Sequence, residues 1–203
     1  MTLLRWSGDR LLVHSPTPLT AELQRQVDSL GTVTALVAPN RLHYWWLPEW
    51  HAAYPNAEVW LAPRVREQSK GRIDFAAHEL RGTEGYPWDE DIATLPIVGD
   101  YLTEVEFFHR SSRTLVLTDL VENFEPEKLR PGMRLLARLG AALAPDGQTP
   151  RDLRLMLARH RETTQEAKAT LLGWRPERVV LAHGRWFRED GTAELARALR
   201  WLD

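Results

Sequence analysis

Two histidines and one aspartate occupy comparable points in three apolar runs of the chain. His43 comes after Leu36-Val37, Asp119 closes Leu115-Val116-Leu117-Thr118, and His183 closes Val179-Val180-Leu181-Ala182. If those runs are strands aligned in one sheet, the three side chains gather at its carboxyl edge, where open α/β sheets bind their ligands. Two imidazoles and a carboxylate suit zinc, iron or manganese. An ion so held polarises an ester, amide or phosphate oxygen and lowers the pKa of a bound water. Each residue also has a structural role open to it. His43 could pack among Trp45, Trp46 and Trp50, Asp119 could brace its loop through Asn123, and His183-Gly184 could form a plain turn.

The elements that must position these residues follow from hydrophobic period and turn chemistry. Leu3 to Trp6 and Arg10 to His14 flank Ser7-Gly8-Asp9 and predict an opening hairpin. Thr20 caps an expected helix over residues 21–30, with Leu23, Val27 and Leu30 on one face and Gly31 after its end. The run from Val33 to Ala38 breaks at Pro39, and Leu47-Pro48-Glu49 opens a helix that Pro55 must stop. The loop between holds Asn40, Arg41 and His43, followed by the aromatic wall of Tyr44, Trp45, Trp46 and Trp50. Glu58 to Pro63 is the next expected strand, and the charged, glycine-bearing stretch from Arg64 to Tyr86 reads as a surface connection with one helical turn. Residues 103–109 and 113–118 predict an antiparallel hairpin around Arg110-Ser111-Ser112. Pro131 to Leu143 predicts an amphipathic helix through Met133, Leu136, Leu139 and Leu143. A second helical stretch runs from Thr149-Pro150 to Leu172 with a break around residues 160–164, and Thr192 is expected to cap a last helix that buries Leu195, Leu199 and Leu202. The alternation of strands and helices gives an α/β fold, expected as a single domain over residues 1–203.

Composition narrows the function classes. The chain has 26 basic and 28 acidic side chains and a formal charge of −2, which provides no electrostatic footprint for nucleic acid or an anionic membrane. Cysteine is absent, so disulfides, thiolate metal sites and cysteine nucleophiles are excluded, and a metal must take histidine and carboxylate ligands. No apolar run reaches the roughly 18 residues of a membrane span, and the first residues lack a signal-peptide core, so a cytoplasmic protein is expected. The partners expected are a small-molecule ligand and, from exposed aromatics, a homodimer.

The order of parts resembles the metallo-β-lactamase fold, whose first motif is a strand, then H-x-H-x-D-H, then a helix, followed later by a strand ending in Asp and another ending in His. Leu42-His43 lies over the last two residues of that motif, Val116-Leu117-Thr118-Asp119-Leu120 over the bridging-aspartate strand, and Val180-Leu181-Ala182-His183-Gly184 over the terminal histidine. Tyr44-Trp45-Trp46-Leu47 covers the family's usual Ile-Gly-Gly-Leu helix opening. The wording looks closest to a branch carried only as a domain of unknown function. The resemblance implies an αββα sandwich in compact form, with two mixed sheets flanked by helices. It also implies which ligands are kept. The positions of the first ion's three histidines hold Ala38, Asn40 and, on a looser alignment, Asp100, so that ion is expected to be lost. Of the second ion's four ligands His43, Asp119 and His183 remain, while Leu42 replaces the carboxylate that helps deprotonate water. Asp100 or Glu49 would have to substitute for it.

Three functions are consistent with these residues. One is a mononuclear metal-dependent hydrolase in which His43, Asp119 and His183 bind one zinc, iron or manganese ion, Asp119 and His183 act in catalysis, and Asn40, Trp45, Trp46, Asp100 and Trp186 line the pocket. Another is a non-catalytic descendant that binds a small molecule or a protein in the same cleft. The third is non-haem iron redox chemistry, which rests only on the donor count.

Overall fold

The computed structural model describes residues 1–203. Contacts divide the chain into two compact units, Met1–Pro96 and Ile97–Asp203. The first is built on a five-stranded mixed sheet in the order β1-β2-β3-β4-β5, formed by β1 (Thr2–Trp6), β2 (Arg10–His14), β3 (Thr32–Ala38), β4 (Glu58–Leu61) and β5 (His78–Glu79). The predicted hairpin is present, with Thr2 opposite His14 and Trp6 opposite Arg10. The next three pairings, β2 with β3, β3 with β4 and β4 with β5, are all parallel. Parallel neighbours need crossovers, and α1 (Ala21–Leu30) makes the one between β2 and β3. Thr20 caps it as predicted, its hydroxyl oxygen accepting the Leu23 N–H at 3.1 Å. Gly31 ends it for a steric reason, since a Cβ there would lie 2.1 Å from the Asp9 carbonyl oxygen.

β3 is buried along most of its length, with Leu36, Val37 and Ala38 fully enclosed. Its carboxyl end leads through the Asn40 loop into α2 (Leu47–Ala53), which has proline in its first turn and Tyr54 at its end. Leu47 and Trp50 sink completely into the core, and the Trp50 indole donates to the Thr17 carbonyl at 2.7 Å, so this aromatic is core with its one polar atom satisfied. The stretch after β4 is more than the surface connection its composition suggests. It contains α3 (Val65–Gln68) and β5, and it buries Val65, Ile73 and Leu80 fully. Tyr86 stacks on Trp88 with centroids 5.3 Å apart, and Trp60 meets both rings edge-on. Anchors spaced so irregularly have no period, and a pattern test cannot see them.

The chain enters the second unit within β6 (Ile92–Val98), the outer member of a four-stranded mixed sheet in the order β6-β7-β8-β9. β7 (Thr103–His109) and β8 (Thr114–Leu117) form the expected antiparallel hairpin, and β9 (Arg178–Leu181) lies parallel to β8. Helices α4 (Pro131–Leu139), α5 (Arg151–Leu157), α6 (Arg161–Gly173) and α7 (Gly191–Ala198) complete the unit, with a 3₁₀ turn at Ala158–His160 breaking the long helical stretch. Two expectations need correction. α4 stops at Leu139, because the chain turns through Gly140 and the left-handed Ala141, and its apolar side chains stay exposed. Asp190 stands at the amino end of α7, while the Thr192 hydroxyl donates to the Pro176 carbonyl at 2.9 Å instead of capping the helix. The packing of Leu195, Leu199 and Leu202 is as expected. No helix is long and apolar enough to cross a membrane.

The Thr20 cap gives a direct check on this local reading. Thr20→Ala should lower stability by about 1 kcal/mol in urea denaturation, with Thr20→Ser close to wild type.

Candidate metal centre

The parallel pairing of β8 and β9 sets Leu117 opposite Leu181. Asp119 and His183 are each two residues further on, just beyond the carboxyl edge of the sheet, and the Ala182 N–H donates to the Leu117 carbonyl at 3.2 Å to keep the two chains side by side. Their side chains meet there, with His183 Nε2 3.0 Å from Asp119 Oδ1. Asp119 is buried and His183 is half-buried. The carboxylate's hydrogen bond raises the His183 pKa, and its charge adds to the effect, while burial opposes both.

One further carboxyl holds the aspartate in place, and a second lies on the same strand. Glu104, buried on β7, accepts the backbone N–H groups of Thr118 at 2.8 Å, Asp119 at 2.9 Å and Leu120 at 3.2 Å. The turn after β8 would otherwise leave those donors without strand partners. One carboxylate therefore satisfies them and fixes the backbone of Asp119. Glu106 is two residues along the same strand, so it shares a face with Glu104. It is fully buried, and no N–H or hydroxyl donor reaches either of its oxygens. Burial, the nearby charge of Glu104 and a hydrogen bond to that side chain all push its carboxyl well above the ordinary range. Burial and Asp119 raise Glu104 as well, but its backbone hydrogen bonds pull the other way. Burial therefore favours the protonated form more strongly at Glu106, which receives no backbone N–H, than at Glu104, which receives three.

The His183 loop is braced by Asn123. The Asn123 N–H donates to the His183 carbonyl at 3.0 Å, its carbonyl accepts from Arg185 N–H at 2.9 Å, and its side-chain amide donates to the Arg185 carbonyl at 2.8 Å. Gly184 passes so close to this segment that a Cβ would lie 2.0 Å from the Asn123 carbonyl oxygen, and its φ of +94° is one that side chains rarely adopt. Glycine is required there for both reasons. Next to Asn123, burial pushes the Glu122 carboxyl up to about 7, against the pull of His183.

His43 belongs to the first unit, in the loop after β3. Asn40 is fully buried, and its side-chain oxygen accepts the N–H groups of Leu42 at 2.8 Å and His43 at 3.0 Å, so its amide orders the loop. His43 Nδ1 lies 2.6 Å from the Ser15 hydroxyl oxygen. That hydrogen bond fixes the orientation of the ring. Ser15 follows β2 in a left-handed conformation with φ of 52°, and its N–H donates to the Val37 carbonyl at 3.0 Å. His14 beside it is buried, and burial together with the charge of His43 pushes its pKa down to about 3, so it is a neutral ring.

The other predicted site residues are placed as follows. Asp100 is hydrogen-bonded to His160 Nε2 at 3.2 Å and forms an ion pair with Arg159 at 3.5 Å. Glu49 accepts the Leu19 N–H at 3.2 Å. Trp45 stacks on Tyr44 and carries the Arg72 guanidinium 5.0 Å over its ring, and Arg188 sits 5.0 Å over Trp186. Trp46, just before α2, is exposed. Sequence reasoning missed Glu104, Glu106, Glu122 and Ser15. The first two had a visible signal, because acids at alternate positions of Thr103-Glu104-Val105-Glu106-Phe107 share one face of an apolar strand.

The family model described as a domain of unknown function, DUF4336, matches residues 1–135. No curated protein matches the sequence. Among solved structures, the DIM-1 metallo-β-lactamase exposed to ceftazidime is similar with a TM-score of 0.62 at 13% identity, covering 98% of this chain and 82% of that one. A metallo-β-lactamase from Pontibacter korlensis gives 0.61 at 12% identity, covering 98% and 85%. Rubredoxin oxygen:oxidoreductase from Desulfovibrio gigas gives 0.61 at 13% identity, covering 98% of this chain but 52% of that longer one. Likeness at these identities shows the fold, and it is the metallo-β-lactamase fold expected from the strand-end motifs.

The Glu104–Glu106 pair has a signature in stability. The native state keeps a proton on Glu106 that the unfolded chain releases in the ordinary glutamate range, so stability falls as pH rises above that range towards the raised native value. Glu106→Gln mimics the protonated acid. As pH rises above the ordinary glutamate range, its urea-derived stability should fall less steeply than that of wild type, by up to about one proton's worth of slope. An unchanged slope would mean that Glu106 is ionised in the folded protein.

Proposed function

Because the chain belongs to the DUF4336 family and has the metallo-β-lactamase fold, we propose that His43, Asp119 and His183 hold one divalent metal ion and that the protein is a mononuclear metal-dependent hydrolase. The observation that carries this reading is the Asp119–His183 pair, 3.0 Å apart beyond two aligned strands, with its aspartate backbone clamped by Glu104. Two imidazoles and a carboxylate fit zinc, iron or manganese, and Ser15 on His43 Nδ1 is the kind of outer hydrogen bond that ligating histidines have. When bound, such an ion lowers the pKa of a water molecule and polarises a substrate oxygen.

The rest of the chemistry falls to the chain's own side chains. Asn40 spends its oxygen on two backbone N–H groups and Ala38 has no donor, which supports one ion and not two. Leu42 brings no carboxylate, and Glu49 and Asp100, the substitutes expected from sequence, are engaged by Leu19 and by His160 and Arg159. Asp119 acts most strongly on His183, with the charges of Glu122 and Glu104 adding to it, and burial pushes the Glu122 carboxyl up to about 7, the range in which a general base or acid works best.

Protein purified without chelator should contain about one equivalent of zinc, iron or manganese by elemental analysis, and should cleave an activated ester, amide or phosphodiester. His183→Ala should lose both the metal and the turnover while keeping the wild-type circular dichroism. Ser15→Ala should weaken metal affinity about tenfold or more through a misoriented His43. A protein that is metal-free as isolated and takes up none of the three ions sinks the proposal. The function left would be non-catalytic binding of a small molecule or partner.

A further inference from the structure

Most amphipathic helices sink their apolar face into the core. α4 instead turns Met133, Leu136, Ala137 and Gly140, which are spaced as one helical face, onto a cavity of about 440 Å³ whose opposite side includes Phe124 and Ala142. Met133 and Leu136 remain 54% and 61% exposed, so the cavity is open to solvent. Its volume lies within the range of small-molecule sites, about 300–1,000 Å³, and like them it is lined mainly by apolar groups with few polar ones.

The wall of this cavity is also the support of the candidate metal centre. Phe124 faces it, and the ring of Phe124 lies 5.8 Å from that of His183. Asn123, the residue before Phe124, carries the hydrogen bonds that fix the His183 loop. Phe124 itself is fixed, its N–H donating to the Ala142 carbonyl at 2.7 Å and its carbonyl accepting from Ala144 N–H at 2.9 Å. Glu122 faces the cavity and acts electrostatically on His183. A molecule seated under α4 therefore touches Phe124, whose ring neighbours His183 and whose chain neighbour Asn123 braces the His183 loop. The ionisable side chains around the cavity are Arg151, Asp152 and Glu122, and with the Glu122 carboxyl pushed up to about 7 they leave no net positive charge to hold a chain ending in a carboxylate.

We infer that the cavity under α4 binds the apolar chain of an uncharged ester or amide whose polar head lies at Asp119 and His183. The choice of ester or amide rests on the hydrolase reading, whereas the binding of an apolar chain does not. Burial of each further methylene in such a cavity raises affinity about fourfold, since a methylene contributes about 0.8 kcal/mol.

The test uses the full chain in two arms. In the first, the neutral fluorescent probe N-phenyl-1-naphthylamine is titrated into metal-free and metal-loaded protein and displaced by n-alkyl acetates of increasing length. Expected are saturable binding at one site per chain in both forms, tighter displacement with each methylene until the cavity is full, and at least a tenfold loss in Ala137→Trp, which fills it. Met133→Glu, at an exposed position, should give the same loss if the tryptophan variant does not fold. In the second arm, metal-loaded protein hydrolyses p-nitrophenyl esters from acetate to octanoate, and kcat/KM should rise with chain length in wild type but not in Met133→Glu. Chain-selective binding without turnover upholds the cavity and defeats the hydrolase reading. Turnover that is indifferent to chain length and to both variants does the reverse. A concentration-dependent dimer in sedimentation that Met133→Glu dissolves, with no probe binding, also overturns the inference, because a second copy would then cover the face.

Discussion

A buried carboxylate is tolerable only when enough donors converge on it, and Glu104 meets that condition with three consecutive backbone N–H groups at the end of β8. The dependence is mutual. Those N–H groups are the ones that a strand leaves unpaired when it runs past the edge of its sheet, and without the glutamate they would need water or a looser turn. With it, the backbone on both sides of Asp119 is held at three points, and the direction in which the aspartate side chain leaves the sheet is fixed. The parallel register of β8 and β9 then decides what it meets, because equal distances beyond Leu117 and Leu181 end at Asp119 and His183.

The two loops that carry the candidate histidines solve the same problem with an asparagine. In the first unit Asn40 accepts two N–H groups of the loop that presents His43. In the second, Asn123 bonds to the carbonyl of His183 and to both backbone groups of Arg185. Side-chain amides suit this work, since they carry both donors and acceptors on a short stem and can replace a missing strand partner. At Asn40, where the resemblance places a histidine ligand, the chain has a buried amide that ties its own loop together.

Much of this was legible in the sequence because it depends on local chemistry. The opening hairpin, the Thr20 cap, the proline-started α2 and the hairpin before Asp119 are each specified by a few neighbouring residues. The strand-end placement of Asp119 and His183 could be read from apolar runs that stop at a polar residue. Long-range partners were not legible. Glu104 finds its donors 14 to 16 residues away, and Ser15 finds His43 28 residues away. The burial of Val65, Ile73 and Leu80 had no periodic signature, and the hydroxyl of Thr192 had a carbonyl partner that only the fold could supply. α4 is the converse case, for its amphipathic pattern predicts burial and the structure leaves the apolar face open.

The central claim is that two imidazoles and a carboxylate from distant parts of the sequence bind the same ion. Anomalous diffraction from crystals grown with zinc, recorded on both sides of the zinc absorption edge, tests it most directly. The account predicts one strong peak per chain, bonded to His43 Nε2, His183 Nε2 and a carboxylate oxygen of Asp119. Zinc found only at other residues, or an Asp119–His183 ion pair left intact with no peak beside it, would contradict it.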